Sequence, residues 1–258
     1  MTTEVRGLVI RTVDIKETDR LVVIFTEEHG VMTALARGAR SLKSRKLAAT
    51  MQFCYGRYIL YKQGDKLWVK EAELIENFFD IRQSIEGLAL ANYICEVLSD
   101  VTIEEADRDL LRLSLNSLYA ISKNLYSVEK IKAVFEIRAT SILGFMPNII
   151  SCHACDERNG DFFFDIMGGI IECRTCHEKR EKGHIEHADP HETHIICILS
   201  EGAKIALGYA IYSPIERIFS FNISHDDMHL FSRAAEEYIL NQLGHSYKSL
   251  DFYKSVLR

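Results

Sequence analysis

Phe53-Cys54-Tyr55-Gly56-Arg57-Tyr58-Ile59-Leu60-Tyr61, then Gln63-Gly64-Asp65-Lys66, then Leu67-Trp68-Val69-Lys70-Glu71-Ala72-Glu73-Leu74-Ile75 decides the fold of the front of this chain. Both long runs are rich in β-branched and aromatic residues, and the segment between them carries the glycine of a tight turn, so the stretch reads as a hairpin. Side chains alternate along a strand. Phe53, Tyr55, Arg57, Ile59 and Tyr61 therefore share one face, and Cys54, Gly56, Tyr58 and Leu60 share the other. Upstream, the same composition predicts strands over residues 5–13, 21–26 and 31–36, with Glu28-His29-Gly30 as a turn. Five short strands within about 75 residues can close into a small barrel of the OB type.

From Asp80 onward the apolar period becomes helical. Ile81, Ile85, Leu88 and Ala89 share a face that continues to Val97 and Leu98. Thr102-Ile103-Glu104-Glu105 reads as a capping box ahead of a helix over 107–126. Ser127 is placed to cap a third helix, which Gly144 and Pro147 terminate. Helical patterns return at 200–209, 227–243 and 249–257, after a polar link over 184–194 that contains Pro190. The expected class is α+β and multidomain. It has an N-terminal OB-fold β-barrel (1–78) and an all-α helical domain in two parts (79–149 and 181–258). A cysteine module (150–180) is inserted between the two helical parts.

That module holds Cys152-His153-Ala154-Cys155 and Cys173-Arg174-Thr175-Cys176. Two such pairs are the spacing of a four-thiolate zinc site, each pair supplying two ligands from one turn. Asp161-Phe162-Phe163-Phe164-Asp165 and Gly169-Ile170-Ile171-Glu172 flank a glycine turn, a hairpin that would bring the pairs together. Four thiolates leave no open position, so the expected metal is one structural zinc. His184, His187, His191 and His194 cluster downstream, either as a second metal site or as a solvated linker; the neighbouring acids and Pro190 favour the linker.

The 258 residues carry a net charge of −6, but residues 1–70 hold 13 Lys/Arg against 7 Asp/Glu, whereas the remainder holds 18 against 30. A basic front on an acidic body suggests that the front meets a polyanion. The charge peaks at Arg37-Gly38-Ala39-Arg40-Ser41-Leu42-Lys43-Ser44-Arg45-Lys46, which has no acid. Arg37, Arg40, Lys43, Arg45 and Lys46 could neutralise phosphates and release counterions, with Arg11 and Arg20 extending the track. The other reading is a solvated loop. Tyr55, Tyr58, Tyr61 and Trp68 either stack bases or fill the barrel core.

No run approaches the roughly 20 apolar residues of a membrane span, and the start lacks an apolar signal core, so the expectation is a cytoplasmic protein with reduced thiols. Cys54, Cys95 and Cys197 sit among apolar residues and are expected to be buried. The chain has no GxxxxGK[ST] loop, no HExxH, no GxSxG and no acid cluster for a divalent ion, so no enzymatic activity is expected.

The order of these features resembles the bacterial RecO family of recombination mediators. Arg6-Gly7-Leu8-Val9-Ile10-Arg11 and Glu17-Thr18-Asp19-Arg20-Leu21 look like its first two strands. Glu28-His29-Gly30 with Ala36-Arg37-Gly38-Ala39-Arg40 looks like its third strand and basic loop. Phe135-Glu136-Ile137-Arg138, Leu143-Gly144-Phe145-Met146-Pro147 and the four cysteines look like its helical core and zinc module.

The resemblance implies a protein that binds single- and double-stranded DNA and anneals complementary strands. It implies work with RecR to help RecA replace the single-strand-binding protein SSB, with no cofactor chemistry, in the cytoplasm at the nucleoid. Some family members lack the cysteines, so zinc is not the source of that activity. The family contacts the acidic, apolar-ended SSB tail through its helical domain. Lys130, Lys132 and Arg138, beside Ile131, Val134 and Phe135, are candidates for the basic rim of the receiving pocket, the other reading being charges on a solvent face. The rival to a mediator is a zinc-ribbon adaptor acting mainly through protein–protein contacts.

Overall fold

The computed structural model describes residues 2–101, 107–182 and 195–257. The capping box at 102–105 and the histidine cluster at 184–194 lie outside the described residues. Strands β1 (Thr2–Ile15), β2 (Asp19–Thr26), β3 (Gly30–Ala36), β4 (Cys54–Gln63) and β5 (Lys66–Asn77) form a closed barrel in the order β1-β2-β3-β5-β4. Every neighbouring pair is antiparallel except β3–β5, which is parallel. This is the OB barrel that the strand count predicts.

Alternation along β4 fixes which side chains fill it. Cys54, Gly56, Tyr58 and Leu60 are buried, whereas Tyr55, Ile59 and Tyr61 are half-buried and Arg57 is exposed. Phe53 breaks the pattern: it stands just ahead of β4 with φ 68° and is buried. The barrel core is Val5, Val9, Val22, Ile24, Ala34, Ala36, Tyr58, Leu60 and Val69 with their small neighbours. The Tyr58 hydroxyl donates to the Ala49 carbonyl at 2.7 Å, which removes the cost of burying it. Gly7 and Gly56 face each other where β1 closes on β4. A Cβ on Gly7 would lie 2.5 Å from the Phe25 carbonyl and one on Gly56 2.7 Å from that of Glu73, so only glycine fits.

A 3₁₀ turn at Phe79–Gln83 leads into α1 (Ile85–Val101) and α2 (Arg108–Ser122), whose N-cap Asp107 accepts the Leu110 N–H. Next come α3 (Val128–Ile142), capped by Ser127 and followed by Gly144 at φ 94°, and the hairpin β6 (Phe162–Asp165) and β7 (Ile170–Cys173). Then follow α4 (Arg174–Glu181), β8 (Ile196–Leu199), α5 (Glu201–Tyr212), α6 (His225–Leu243) and α7 (Lys248–Val256). The strand β8 has no counterpart in the sequence reading. Its four residues are too few for a period of two to register, and it pairs antiparallel with β6 to give a sheet ordered β7-β6-β8.

The contacts divide the chain into two units, Met1–Leu125 with Tyr247–Arg258, and Tyr126–Ser246. In the first, α7 packs on α1: the Tyr93 and Tyr247 rings meet edge-on at 5.6 Å and the Tyr247 hydroxyl donates to Asp100 at 3.0 Å. In the second, α3 is buried along nearly its whole length against α6 and α5, and the three-stranded sheet carries the cysteine pairs.

Candidate nucleic-acid interface and metal centre

The basic loop leaves the end of β3 and is fastened at its base to the β1–β2 turn. The Asp19 carboxylate accepts the Gly38 N–H at 2.8 Å, and the Arg40 N–H donates to the Thr18 carbonyl at 2.9 Å. The Arg40 guanidinium reaches the Lys16 and Glu17 carbonyls at 2.9 and 3.1 Å and Asp14 at 3.2 Å. Asp14 also holds Arg20 at 3.0 Å, and Arg20 donates onward to the Thr50 carbonyl at 3.3 Å. The Gly38 N–H is the main reason that the Asp19 carboxyl titrates below the ordinary carboxylate range, with the Thr18 hydroxyl, Arg37 and Lys16 adding to it.

The seven cations named from sequence thus fall into two groups. Arg20, Arg40 and Lys46 brace the fold. Lys46 is half-buried, donates to the Val69 carbonyl at 3.3 Å, and is pushed below its ordinary pKa by desolvation. Arg37, Lys43, Arg45 and Arg11 are exposed. Lys43, Arg45 and Arg11 have neither hydrogen bond nor ion pair among the described residues. Between Lys43 and the loop base, Leu42 is 93% exposed. The acids that tie down the loop, Asp14 and Asp19, are what sequence reading missed; each lies in a strand segment where nothing marks it as a loop anchor.

The candidate stacking aromatics separate as well. Tyr58 is core, and the Tyr55 hydroxyl is bound to Glu27. Tyr61 and Trp68 are cross-strand partners on the outer surface, and Trp68 is in turn opposite Leu35 on β3. The Arg37 guanidinium carbon lies 4.9 Å from the Trp68 ring centre.

Cys152, Cys155, Cys173 and Cys176 bring their sulfurs within 4.8 Å of one another. The first pair sits in a turn fixed by the Cys152 N–H to the Glu157 carbonyl (2.7 Å) and the His153 N–H to the Ile171 carbonyl (2.9 Å). The second pair opens α4, with Cys173 as its N-cap and Cys176 in its first turn. Burial opposes ionisation of Cys152, but N–H groups of Cys173, Ala154 and Cys155 outweigh it and bring this thiol down to about 7. Cys176 is pushed up by burial and by its three neighbours, because four adjacent thiols resist losing their protons together. A bound cation relieves that conflict. Tetrahedral thiolates at about 2.3 Å from an ion stand about 3.8 Å apart, so this donor set fits a thiophilic metal after a small contraction. Behind it, the Glu172 carboxylate accepts from the Arg180 Nε at 2.9 Å, and His177 stacks on Phe163 at 3.8 Å.

The three cations proposed as the rim of a peptide pocket are placed otherwise. Lys132 is 1% exposed, with its ammonium 3.0 Å from Glu136 and 2.7 Å from Glu236. Lys130 is buried against Tyr126 and Phe221 and donates to the Phe221 carbonyl. Arg138 is half-buried with its guanidinium 3.4 Å from the Ala210 carbonyl. All three point into the bundle because α3 is its central helix, which its charged residues concealed in the sequence. An apolar depression among the described residues of this unit lies elsewhere. A groove of about 280 Å³ is lined by Ile149, Ile150, Ile205, Gly208 and Tyr212, with Arg158, Lys204 and Glu201 at its border. Ile205, Gly208 and Tyr212 share one face of α5 at helical spacing, a signal present in the sequence.

The described elements define a modular protein: a closed OB barrel with an anchored cationic loop, followed in the chain by helices and a four-cysteine cluster. The Recombination protein O N-terminal family matches residues 1–78, and the Recombination protein O C-terminal family matches residues 82–251. The chain is 35% identical over 254 residues to the DNA repair protein RecO of Acetivibrio thermocellus, covering 98% of this chain and 96% of that protein. It is 26% identical over 255 residues to the DNA repair protein RecO of Clostridium acetobutylicum, covering 97% and 96%. The chain belongs to the recombination protein O (RecO) family of DNA repair proteins. No described helix is long and apolar enough to cross a membrane.

Proposed function

We propose that the protein is a non-enzymatic recombination mediator. It binds single- and double-stranded DNA on the barrel of residues 1–78 and anneals complementary strands. With RecR it helps load RecA onto single strands coated by SSB, in the cytoplasm at the nucleoid. The observation that carries this reading is the braced loop: Asp14 and Asp19 fix its base, and Lys43 and Arg45 stand exposed and unpaired beyond it. A cationic loop held in place neutralises phosphates with little ordering cost. Annealing needs that neutralisation on two strands and no covalent step.

The cysteine cluster takes one structural zinc. Four thiolates complete its shell and leave no position for substrate, so the ion braces the module. The SSB tail, acidic with an apolar end, suits the α5 groove better than α3: its apolar floor receives the terminal side chain and Arg158 meets the acids, Lys204 being held by the Arg158 carbonyl and the Phe162 ring.

The test is titration of a labelled single strand at low and moderate salt, followed by annealing and cleavage assays. A mediator binds with affinity that falls as salt rises, anneals, and leaves the strand intact. Failure to bind in dilute buffer sinks the reading and leaves the adaptor alternative; cleavage replaces it with a nuclease.

A further inference from the structure

We propose that Trp68 is a stacking platform for one unpaired nucleobase and that Arg37 is its displaceable cover. This rests on the reading of the barrel as a DNA-binding surface and specifies how single strands are told from duplex there.

Cross-strand partners on the outside of the barrel line up as Val13 with Leu21, Leu21 with Leu35, Leu35 with Trp68, and Trp68 with Tyr61. Their sequence neighbours Val22, Ala34, Leu60 and Val69 point into the core, so this row is an apolar strip facing outward. At its aromatic end the Arg37 guanidinium lies over the Trp68 ring at 4.9 Å. Arg37 is exposed and has no hydrogen bond or ion pair among the described residues, so besides the ring only the charge of Asp19 attracts it. The indole N–H is buried without an acceptor among the described residues. A tryptophan is therefore not required here for a hydrogen bond; the ring is half-buried on the outer side of β5, with Arg37 over it.

Magnitudes decide whether a base replaces the guanidinium. A base inserted between the two groups would need about 7 Å, twice the ~3.5 Å of aromatic contact, so at 4.9 Å Arg37 has to leave the ring. An exposed cation–π contact corresponds to roughly a 2- to 5-fold preference. Stacking of a base corresponds to roughly 5- to 150-fold. The base wins, and the released guanidinium remains at the root of the loop to meet the adjoining phosphate. A base paired in a duplex has both faces covered and cannot make the exchange without unstacking.

Trp68 is the single tryptophan of the chain, so its fluorescence reads this site alone. Full-length protein is titrated with labelled oligothymidylate, with an abasic deoxyribose-phosphate strand of the same length, and with duplex. Anisotropy follows binding and indole emission follows the ring. The expected result is quenching by oligothymidylate only, although all three ligands bind. Trp68→Ala should lose roughly 5- to 150-fold affinity for oligothymidylate and almost none for the abasic strand, with Trp68→Phe largely restoring it. Arg37→Ala should keep the quenching amplitude while the salt slope falls by about 0.7. Binding of oligothymidylate with unchanged emission, or equal losses by Trp68→Ala on thymidylate and abasic strands, overturns the platform while leaving DNA binding intact. No binding of any strand in anisotropy overturns both.

Discussion

The Asp19 carboxylate accepts the Gly38 N–H at 2.8 Å and so ties the first residue of β2 to the residue that turns the chain out of β3. Gly38 has φ 64°, a conformation that most side chains disfavour, and the bond holds it there. The geometry of the cationic loop is therefore set by Asp19 together with Arg40, the one loop cation whose guanidinium is bound at the loop base.

Asp19→Ala should loosen the loop without unfolding the barrel, and trypsin cleavage between Arg37 and Lys46 should accelerate. The pH dependence has a definite sign. The folded carboxyl lies below its unfolded value of about 3.9, so the anchoring is fully present above that value and is lost as pH falls through the lower folded one. Exchange of the Gly38 amide should accelerate in that acid window in the parent and not in the variant. Equal protection in both would refute the anchor.

Free and braced cations should behave differently. Lys43→Glu with Arg45→Glu should weaken single-strand binding and lower the magnitude of the salt slope by about 1.4, with no change in melting. Arg40→Ala should instead lower stability, because it removes bonds to two carbonyls and Asp14. Identical outcomes for the two variants would erase the distinction.

Lys132 offers a third test. Replacement by Met leaves the buried Glu136 and the half-buried Glu236 without their shared cation, at a cost of about 3–5 kcal/mol in denaturant unfolding. Adding Glu136→Gln should recover part of that loss, and DNA binding of the folded fraction should be unaffected. A Lys132→Met protein of parental stability would show that the triad contributes nothing.

Removal of one cysteine tests the metal. Cys173→Ser should abolish stoichiometric zinc and lower the melting temperature by about 5 °C or more, while single-strand affinity of the folded protein stays within a few-fold. Parental melting of a metal-free sample would count against a structural ion.

The barrel was legible because its signal is local: alternation in residues 54–61 separates Tyr58 and Leu60 from Tyr55 and Arg57. The cysteine pairs were legible because two ligands per turn is a short-range pattern. Tertiary placement was not. Lys132 and Glu136 look like a solvated pair at helical spacing, and only packing against α6 reveals that both are interior. Likewise, that Arg20 and Arg40 are structural while Lys43 and Arg45 are free depends on Asp14, which lies 6 residues from Arg20. Charge composition locates a basic segment but does not say which of its members are already engaged.

Docking of α7 on α1 has a consequence for biosynthesis. Residues 247–257 complete a body whose other members were translated more than a hundred positions earlier, whereas the unit at 126–246 is one uninterrupted stretch. On a ribosome the interrupted body waits with the α1 surface around Tyr93 uncovered until its final helix emerges. Chaperone dependence should therefore concentrate on the body that α7 completes.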